Sequence, residues 1–332
     1  MVHLSRLKVM LIGFALVSMI FGASHAFAAD PHILLRVDVA YLVNERMAAV
    51  RDEIRTLLRD AQPKIDYDGL VASSQTVQVR IVDGSQVDAA KSALKTLTDP
   101  VAGVQEMVLD ESQPGLLKFT MTDAGLKSRT SIALRQSIEV IKNRLQDLGV
   151  AGALAQQTDE DGILVQAPGA VDLLGVGKIL ARPGRLSFRL VDTSMPVNDA
   201  VNASPPAGSS VLYSLDDPPV SYLVEDRVIV AGKSVVDAQA TTNSSSSEPV
   251  VAFRLDSRGT ERFKWATTRN IGKPFAVILD DQVISAPIIR EPIEHGTGQI
   301  SGNFTIESAK ELALLFRTGA LPARLTIVEE AR

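Results

Sequence analysis

Apolar and polar residues alternate from His32 to Val39: Ile33, Leu35, Val37 and Val39 share one face, with Arg36 and Asp38 on the other. A period of two predicts a half-buried strand. From Tyr41 to Arg59 the period changes. Met47, Val50, Ile54 and Leu57 recur at steps of three and four, which predicts an amphipathic helix. Pro63 and Gly69 mark Gln62–Gly69 as a loop. Thr76–Val82 alternates again through Val77, Val79 and Ile81, and Asp83-Gly84 turns the chain. A short helix over Val87–Leu97 ends near Pro100. Gly103–Leu109 and Leu116–Met121 read as strands around a Pro114-Gly115 turn.

The strongest helical signal runs from Thr130 to Leu148. Leu134, Ile138, Ile141, Leu145 and Leu148 form one stripe, read as a core face, while Glu139, Lys142, Asn143 and Gln146 point away. Gly149 can take the left-handed conformation that stops such a helix. A strand over Gly162–Gln166, a Pro168-Gly169 turn, a helix over Val171–Leu180 and an alternating strand over Leu186–Val191 follow. The order strand, helix, strand, strand, helix, strand is the ferredoxin-like split βαβ plan. It leaves residues 41–125 as a β/α lobe inserted after the first strand.

Met195–Pro219 carries six prolines and glycines and reads as an irregular surface connection. Ser244–Ser247 sits in a polar run that buries no apolar surface, so Thr241–Pro249 is expected to be a mobile loop. Regularity returns at Val250. A strand over Val251–Leu255, a helix over Gly259–Thr268 and a hairpin of Phe275–Leu279 with Gln282–Ala286 around Asp280-Asp281 follow. Thr305 caps a helix over Ile306–Arg317 with Glu307 in its first turn; Gly319 stops it, and Leu325 and Ile327 begin a last strand.

The chain has 332 residues, 45% hydrophobic and 22% charged, enough to bury cores without metal or disulfide staples. Arg6 and Lys8, the apolar run Val9–Ala23 and the small residues Ala26-Phe27-Ala28 form a signal peptide, with cleavage expected after Ala28. The alternative is an uncleaved anchor, for which the run is short. Loss of residues 1–28 leaves 32 Lys+Arg against 39 Asp+Glu, moving the formal charge from −5 to −7. Such a protein is a poor partner for nucleic acid or anionic lipid. The absence of cysteine excludes thiol catalysis and thiolate zinc sites.

Several segments occur in a telling succession: Asn143-Arg144-Leu145 with Leu148-Gly149-Val150, Val165 with Pro168-Gly169, Leu186 with Phe188-Arg189-Leu190, and Phe253-Arg-Leu-Asp-Ser-Arg-Gly259. Asn270-Ile-Gly-Lys-Pro274, Val283-Ile-Ser-Ala-Pro287, Gly298-Gln-Ile-Ser-Gly-Asn-Phe-Thr305 and Arg317-Thr-Gly-Ala-Leu-Pro-Ala323 continue it. The series resembles the first periplasmic domain of SecD, the membrane subunit that assists protein export through the SecYEG channel. The resemblance implies an α+β protein: a ferredoxin-like base, residues 29–192, closed by a strand in 320–332, and a separate α+β head over 193–319. It implies a hinge at the two crossings, Val191, Asp192 and Thr193 on one strand of chain and Gly319, Ala320 and Leu321 on the other. The family's "GLDLxGG" element is replaced by Ala29-Asp30-Pro31-His32, and the chain stops where family members continue into a membrane bundle. This reads as a truncated form without its own proton-driven part.

Candidate chemistry is sparse. Gly175-Val-Gly177-Lys178 lacks P-loop spacing, and neither G-x-S-x-G nor H-E-x-x-H occurs. Glu291, Glu294 and His295 suit a solvated loop better than a metal, and Asp280-Asp281 suits a hairpin turn better than an acid–base pair. Trp265 reads as a helix-packing residue. No metal, cofactor or catalytic set is expected, so the chain is read as a non-enzyme. Phe253, Phe263, Phe275, Ile284, Ile288 and Phe304 are the apolar side chains that a head cleft would offer to unfolded exported polypeptide. SecYEG, SecF or a full-length SecD are the further partners implied, with a periplasmic location, or an inner-membrane one if the signal anchors. The alternative is a periplasmic adaptor for one folded partner, unrelated to translocation.

Overall fold

The computed structural model describes residues 31–158, 161–168 and 172–331. The signal segment and Gly169 of the expected turn lie outside the described residues.

The first strand, β1 (His32–Val37), buries Ile33, Leu35 and Val37 as its alternation requires. Asp38 then accepts a hydrogen bond from Tyr41 N at 2.9 Å and caps α1 (Val39–Asp60). This helix serves two cores. Leu42 packs on the base; Val43, Met47, Val50, Ile54 and Leu58 pack on the inserted lobe. The lobe is β2 (Tyr67–Ser73), β3 (Thr76–Ile81), α2 (Val87–Leu94), β4 (Met107–Asp110) and β5 (Leu116–Met121), with its sheet in the order β2-β3-β5-β4. β2 begins within the expected loop, at Tyr67–Gly69, and continues through residues to which the sequence pattern assigns no element. Gly69, at φ 58°, and a register slip between Asp68 and Val71 break the alternation that would reveal it.

Thr122 accepts from Gly125 N and caps α3 (Asp123–Asp147), which starts seven residues before the expected helix start at Thr130. β6 (Leu154–Gln157), β7 (Gly162–Gln166) and α4 (Leu173–Ala181) follow. With the last strand, β17 (Leu325–Ala331), they complete the base sheet in the order β17-β1-β7-β6, all antiparallel. This is the ferredoxin-like order, with α3 and α4 packed on the sheet around Leu134, Ile141, Leu173 and Leu180.

Three expectations differ from the structure. The strand β8 (Leu186–Leu190) does not belong to the base. It pairs with β14 (Phe275–Leu279) along its whole length, and with β11 (Val230–Ala231). Nor is 195–219 irregular: it forms α5 (Val197–Asn202) and β9 (Ser209–Ser214). With β10 (Ser221–Glu225) and β15 (Gln282–Ser285), these strands build a six-stranded sheet in the order β10-β9-β15-β14-β8-β11. A second sheet, β12-β13-β16, is made by β12 (Val235–Thr242), β13 (Pro249–Leu255) and β16 (Thr297–Ile300). The serine run is an ordered turn: Asn243 N donates to Glu248 O at 2.8 Å and its side chain accepts from Ser245 N. Helices α6 (Ser257–Arg269) and α7 (Ile306–Thr318) complete the head. The Asp280-Asp281 hairpin has φ of 51° and 65°, the left-handed pair that a two-residue turn needs. The main core of the head includes Phe188, Phe253, Phe263 and Phe316, and a smaller one of Val224, Ala276, Ile278 and Val283 lies on the other face of the six-stranded sheet.

Candidate functional site

Four phenylalanines from four elements meet in the head. Phe188 comes from β8, Phe253 from β13, Phe263 from α6 and Phe275 from β14. Ring centroids lie 5.3 Å apart for Phe188–Phe253 and for Phe263–Phe275, and 5.7 Å for Phe188–Phe263, within the range of favourable aromatic pairing. They floor an open cleft of about 280 Å³. Its wall is the segment Pro287–Ile293, pinned where Thr267 Oγ1 accepts from Ile293 N at 3.0 Å. Ile289 of that wall is buried, whereas Ile288 is 62% exposed on the rim.

The opposite wall is β16, the free edge of its sheet. Leu255 N donates to Gly296 O at 2.8 Å, and the pairing continues through Phe253 with Gly298 and Val251 with Ile300. By the antiparallel alternation, the backbone groups of Thr297 and Gln299 point away from β13. Gly298 is favoured for a packing reason: a Cβ there would stand 2.8 Å from the Phe253 ring, so one of the two would have to shift.

Of the six candidate contact residues, Phe253, Phe263, Phe275 and Ile288 share this cleft. Ile284 and Phe304 do not. They line a separate hollow of about 370 Å³ with Leu215, Asp216, Asn303 and Leu312. The three predicted phenylalanines of the cleft are 3–6% exposed, so little more than their edges faces the opening. Phe188 completes the floor and escapes sequence reasoning because its strand reads as part of the base. Trp265, expected to pack, is 45% exposed. Glu294 pairs with Lys264 at 3.1 Å, and no cluster of potential metal ligands occurs among the described residues.

One of the two crossings between the sheets lies elsewhere than expected. Val191 bridges Val224, and Asp192 N donates to Leu223 O at 2.8 Å. The Asp192 carboxylate accepts from Ser209 Oγ and Ser194 N, bonds that hold it below the usual carboxylate range. Residues 191 and 192 are thus stitched into the six-stranded sheet, with Thr193 following directly. The chain leaves the base between Ala181 and Leu186 and returns between Thr318 and Leu325, so Gly319, Ala320 and Leu321 do lie on a crossing. Leu321 N donates to Pro183 O at 2.8 Å and ties the two together. Gly319 has φ 77° and ψ 179°, a region open to glycine alone.

Arg144 of α3 is the residue that sequence reasoning missed here. It is fully buried. Its guanidinium donates to Ile179 O at 3.1 Å, Leu180 O at 2.9 Å, Arg182 O at 2.5 Å and Gly319 O at 3.0 Å. One side chain therefore satisfies the last carbonyls of α4 and grips both crossings. Burial lowers its pKa to about 10, Asp280 opposing and Arg182 adding, so it remains charged at neutral pH. The only sequence signal was its place in the Asn143-Arg144-Leu145 segment.

Residues 209–323 match the family described as "SecDF, P1 head subdomain", and residues 134–193 match "Protein translocase subunit SecDF, P1 domain, N-terminal". Together the matches take in more than half of the chain. The chain belongs to the SecD family. It is 32% identical over 299 residues to the protein translocase subunit SecD of Rickettsia bellii, covering 90% of this chain and 56% of that relative. With the SecDF subunit of Brucella abortus it shares 35% over 255 residues, 76% of this chain and 33% of that one. A solved structure of "a membrane component SecDF that enhances protein export" covers 60% of this chain and 92% of its own, at 29% identity and a TM-score of 0.48. The chain spans little more than half the length of the SecD relatives it matches. The family boundary at residue 193 cuts through the six-stranded sheet, because β8 lies in one matched segment and its partner β14 in the other. No helix among the described residues is long and apolar enough to cross a membrane.

Proposed function

We propose that this SecD-family chain works on the periplasmic side of protein translocation, where its head transiently holds extended polypeptide in the aromatic cleft. The observation that carries the reading is the pairing of an apolar floor with an open strand edge in one depression. Main-chain bonding along Thr297 and Gln299 would be indifferent to sequence, and the floor would take alternate apolar side chains. Burying one leucine-sized side chain contributes about 1.5–3 kcal/mol. The ordering of the guest offsets much of this. The affinity is accordingly weak and reversible, which suits a passing chain.

The crossings at 182–185 and 318–324 serve as the hinge between head and base, displaced from the 191–193 position that the resemblance suggested. SecYEG and SecF are the membrane partners this reading requires. The test is photo-crosslinking in cells from Ile288 and Gln299 to a stalled secretory polypeptide, with Val71 on the lobe as the control position. Adducts at the cleft and none at Val71 support the reading. Equal, background-level adducts at all three, from properly exported protein, refute it.

A further inference from the structure

Helix α6 has an exposed face besides its buried one. Its inner side sends Phe263, Ala266 and Thr267 into the head. Its outer side presents Glu261, Arg262, Trp265 and Arg269 to solvent. The guanidinium of Arg269 lies 4.5 Å from the Trp265 ring centroid, and that of Arg227, from the loop after β10, lies 5.7 Å away. Between this loop and the helix is a hollow of about 420 Å³, lined by Arg227, Val228, Ile229, Glu261, Arg262 and Trp265.

The charges here are unbalanced. The arginines that join the packed elements of the fold are neutralised: Arg46 and Arg129 by Glu106, Arg182 by Glu311, Arg317 by Asp147. Arg227, Arg262 and Arg269 make no ion pair among the described residues, although the chain as a whole carries a formal charge of −5. Glu261 is the one carboxylate lining the hollow. The neighbouring Asp226 is engaged by Ser210 Oγ at 2.5 Å.

We propose that this face docks an acidic segment of a partner protein. An apolar side chain of that segment fills the hollow against Trp265 and Val228, and its carboxylates bridge the three guanidinium groups. Guanidinium forks match carboxylates in a bidentate fashion. Tryptophan and arginine together are the residues that dominate protein interfaces. A positive patch on an acidic protein steers a negative partner to one place. A concave hollow takes an inserted side chain, which a flat bilayer surface does not offer. The site lies on the side of α6 opposite the cleft, so it does not rest on the polypeptide-binding reading.

Trp265 is the only tryptophan, so the fluorescence of the intact chain reports this site directly. The probes are a peptide alternating Glu and Leu, the same peptide with Lys for Glu, and vesicles of phosphatidylglycerol. The acidic peptide is expected to shift the emission saturably. Raised salt and the surface double variant Arg227→Gln/Arg262→Gln, checked for fold by circular dichroism, should each weaken its binding, the variant about tenfold. No saturable shift, an equal response to the basic peptide, or unchanged affinity in the folded variant overturns the proposal. A response to vesicles without one to the acidic peptide also overturns it, in favour of a membrane contact.

Discussion

Replacing Arg144 by methionine tests how the head is held to the base. The methionine fills much of the same channel but donates nothing. Three carbonyls with short bonds to the guanidinium, those of Leu180, Arg182 and Gly319, lose their partner. Each orphaned buried acceptor costs about 1–3 kcal/mol, or about 6 kcal/mol at the middle of the range. Against this stands the desolvation of a buried cation. The fall of its pKa to about 10 represents about 3 kcal/mol, which the neutral variant no longer bears. The net expectation is a loss of about 3 kcal/mol, in line with breaking other buried charged networks. Arg144→Lys keeps the charge but not the fork, and is expected to recover no more than half. Urea unfolding followed by circular dichroism measures the loss. Tryptic cleavage after Arg185 and Arg324 measures whether the crossings loosen under native conditions. A methionine variant within about 0.5 kcal/mol of the wild type, with cleavage no faster, refutes the assignment of Arg144 as the clasp.

Three further outcomes are expected. Glu106 joins the lobe to α1 and α3 through Arg46, at 2.9 Å, and Arg129; burial pushes its pKa up, but the two arginines outweigh that and hold it below its ordinary value. Its contribution is therefore present above pH about 4.5 and lost as pH falls through the lowered value, and Glu106→Gln should cost about 1–3 kcal/mol near neutrality while flattening the acid limb of a pH–stability curve. Gly298→Ala pushes a Cβ to 2.8 Å from the Phe253 ring, so thermal unfolding should show about 1–3 kcal/mol of destabilisation. Ile288→Asp places a charge on an exposed rim position, so it should leave the melting temperature within a degree or two and weaken binding of a labelled unfolded polypeptide severalfold by anisotropy.

The parts of the fold written in local periodicity were legible in the sequence. Leu134, Ile138, Ile141 and Leu145 are buried as their spacing predicts, and Thr305 caps α7 with a reciprocal bond from its own N to Ser308 Oγ. What periodicity does not carry is partner choice. Leu186–Leu190 alternates equally well in either sheet, and only the pairing with Phe275–Leu279, far along the chain, assigns it to the head. β6 is short, on an edge, and buries only Ala155, so it leaves almost no pattern. The cleft was partly legible: four of six apolar candidates converge, while Ile284 and Phe304 face another hollow because strand and loop turn them there. Arg144 is polar and sits in a helix, where its type predicts a solvated face. The carbonyls that bury it come from segments 35 to 175 residues away.

The base sheet has its second place from one edge occupied by β1 and that edge itself by β17, nearly three hundred residues later. During synthesis β1 must wait, its flank bare, until the whole head has been made. A folded head shortens that wait in conformational terms, because its two ends emerge side by side at Pro183 and Leu321 and deliver β17 to a gap already measured for it. Maturation of the base is then gated by the head, and a lesion that delays the head's own assembly should appear first as mispairing of β1 in the base sheet.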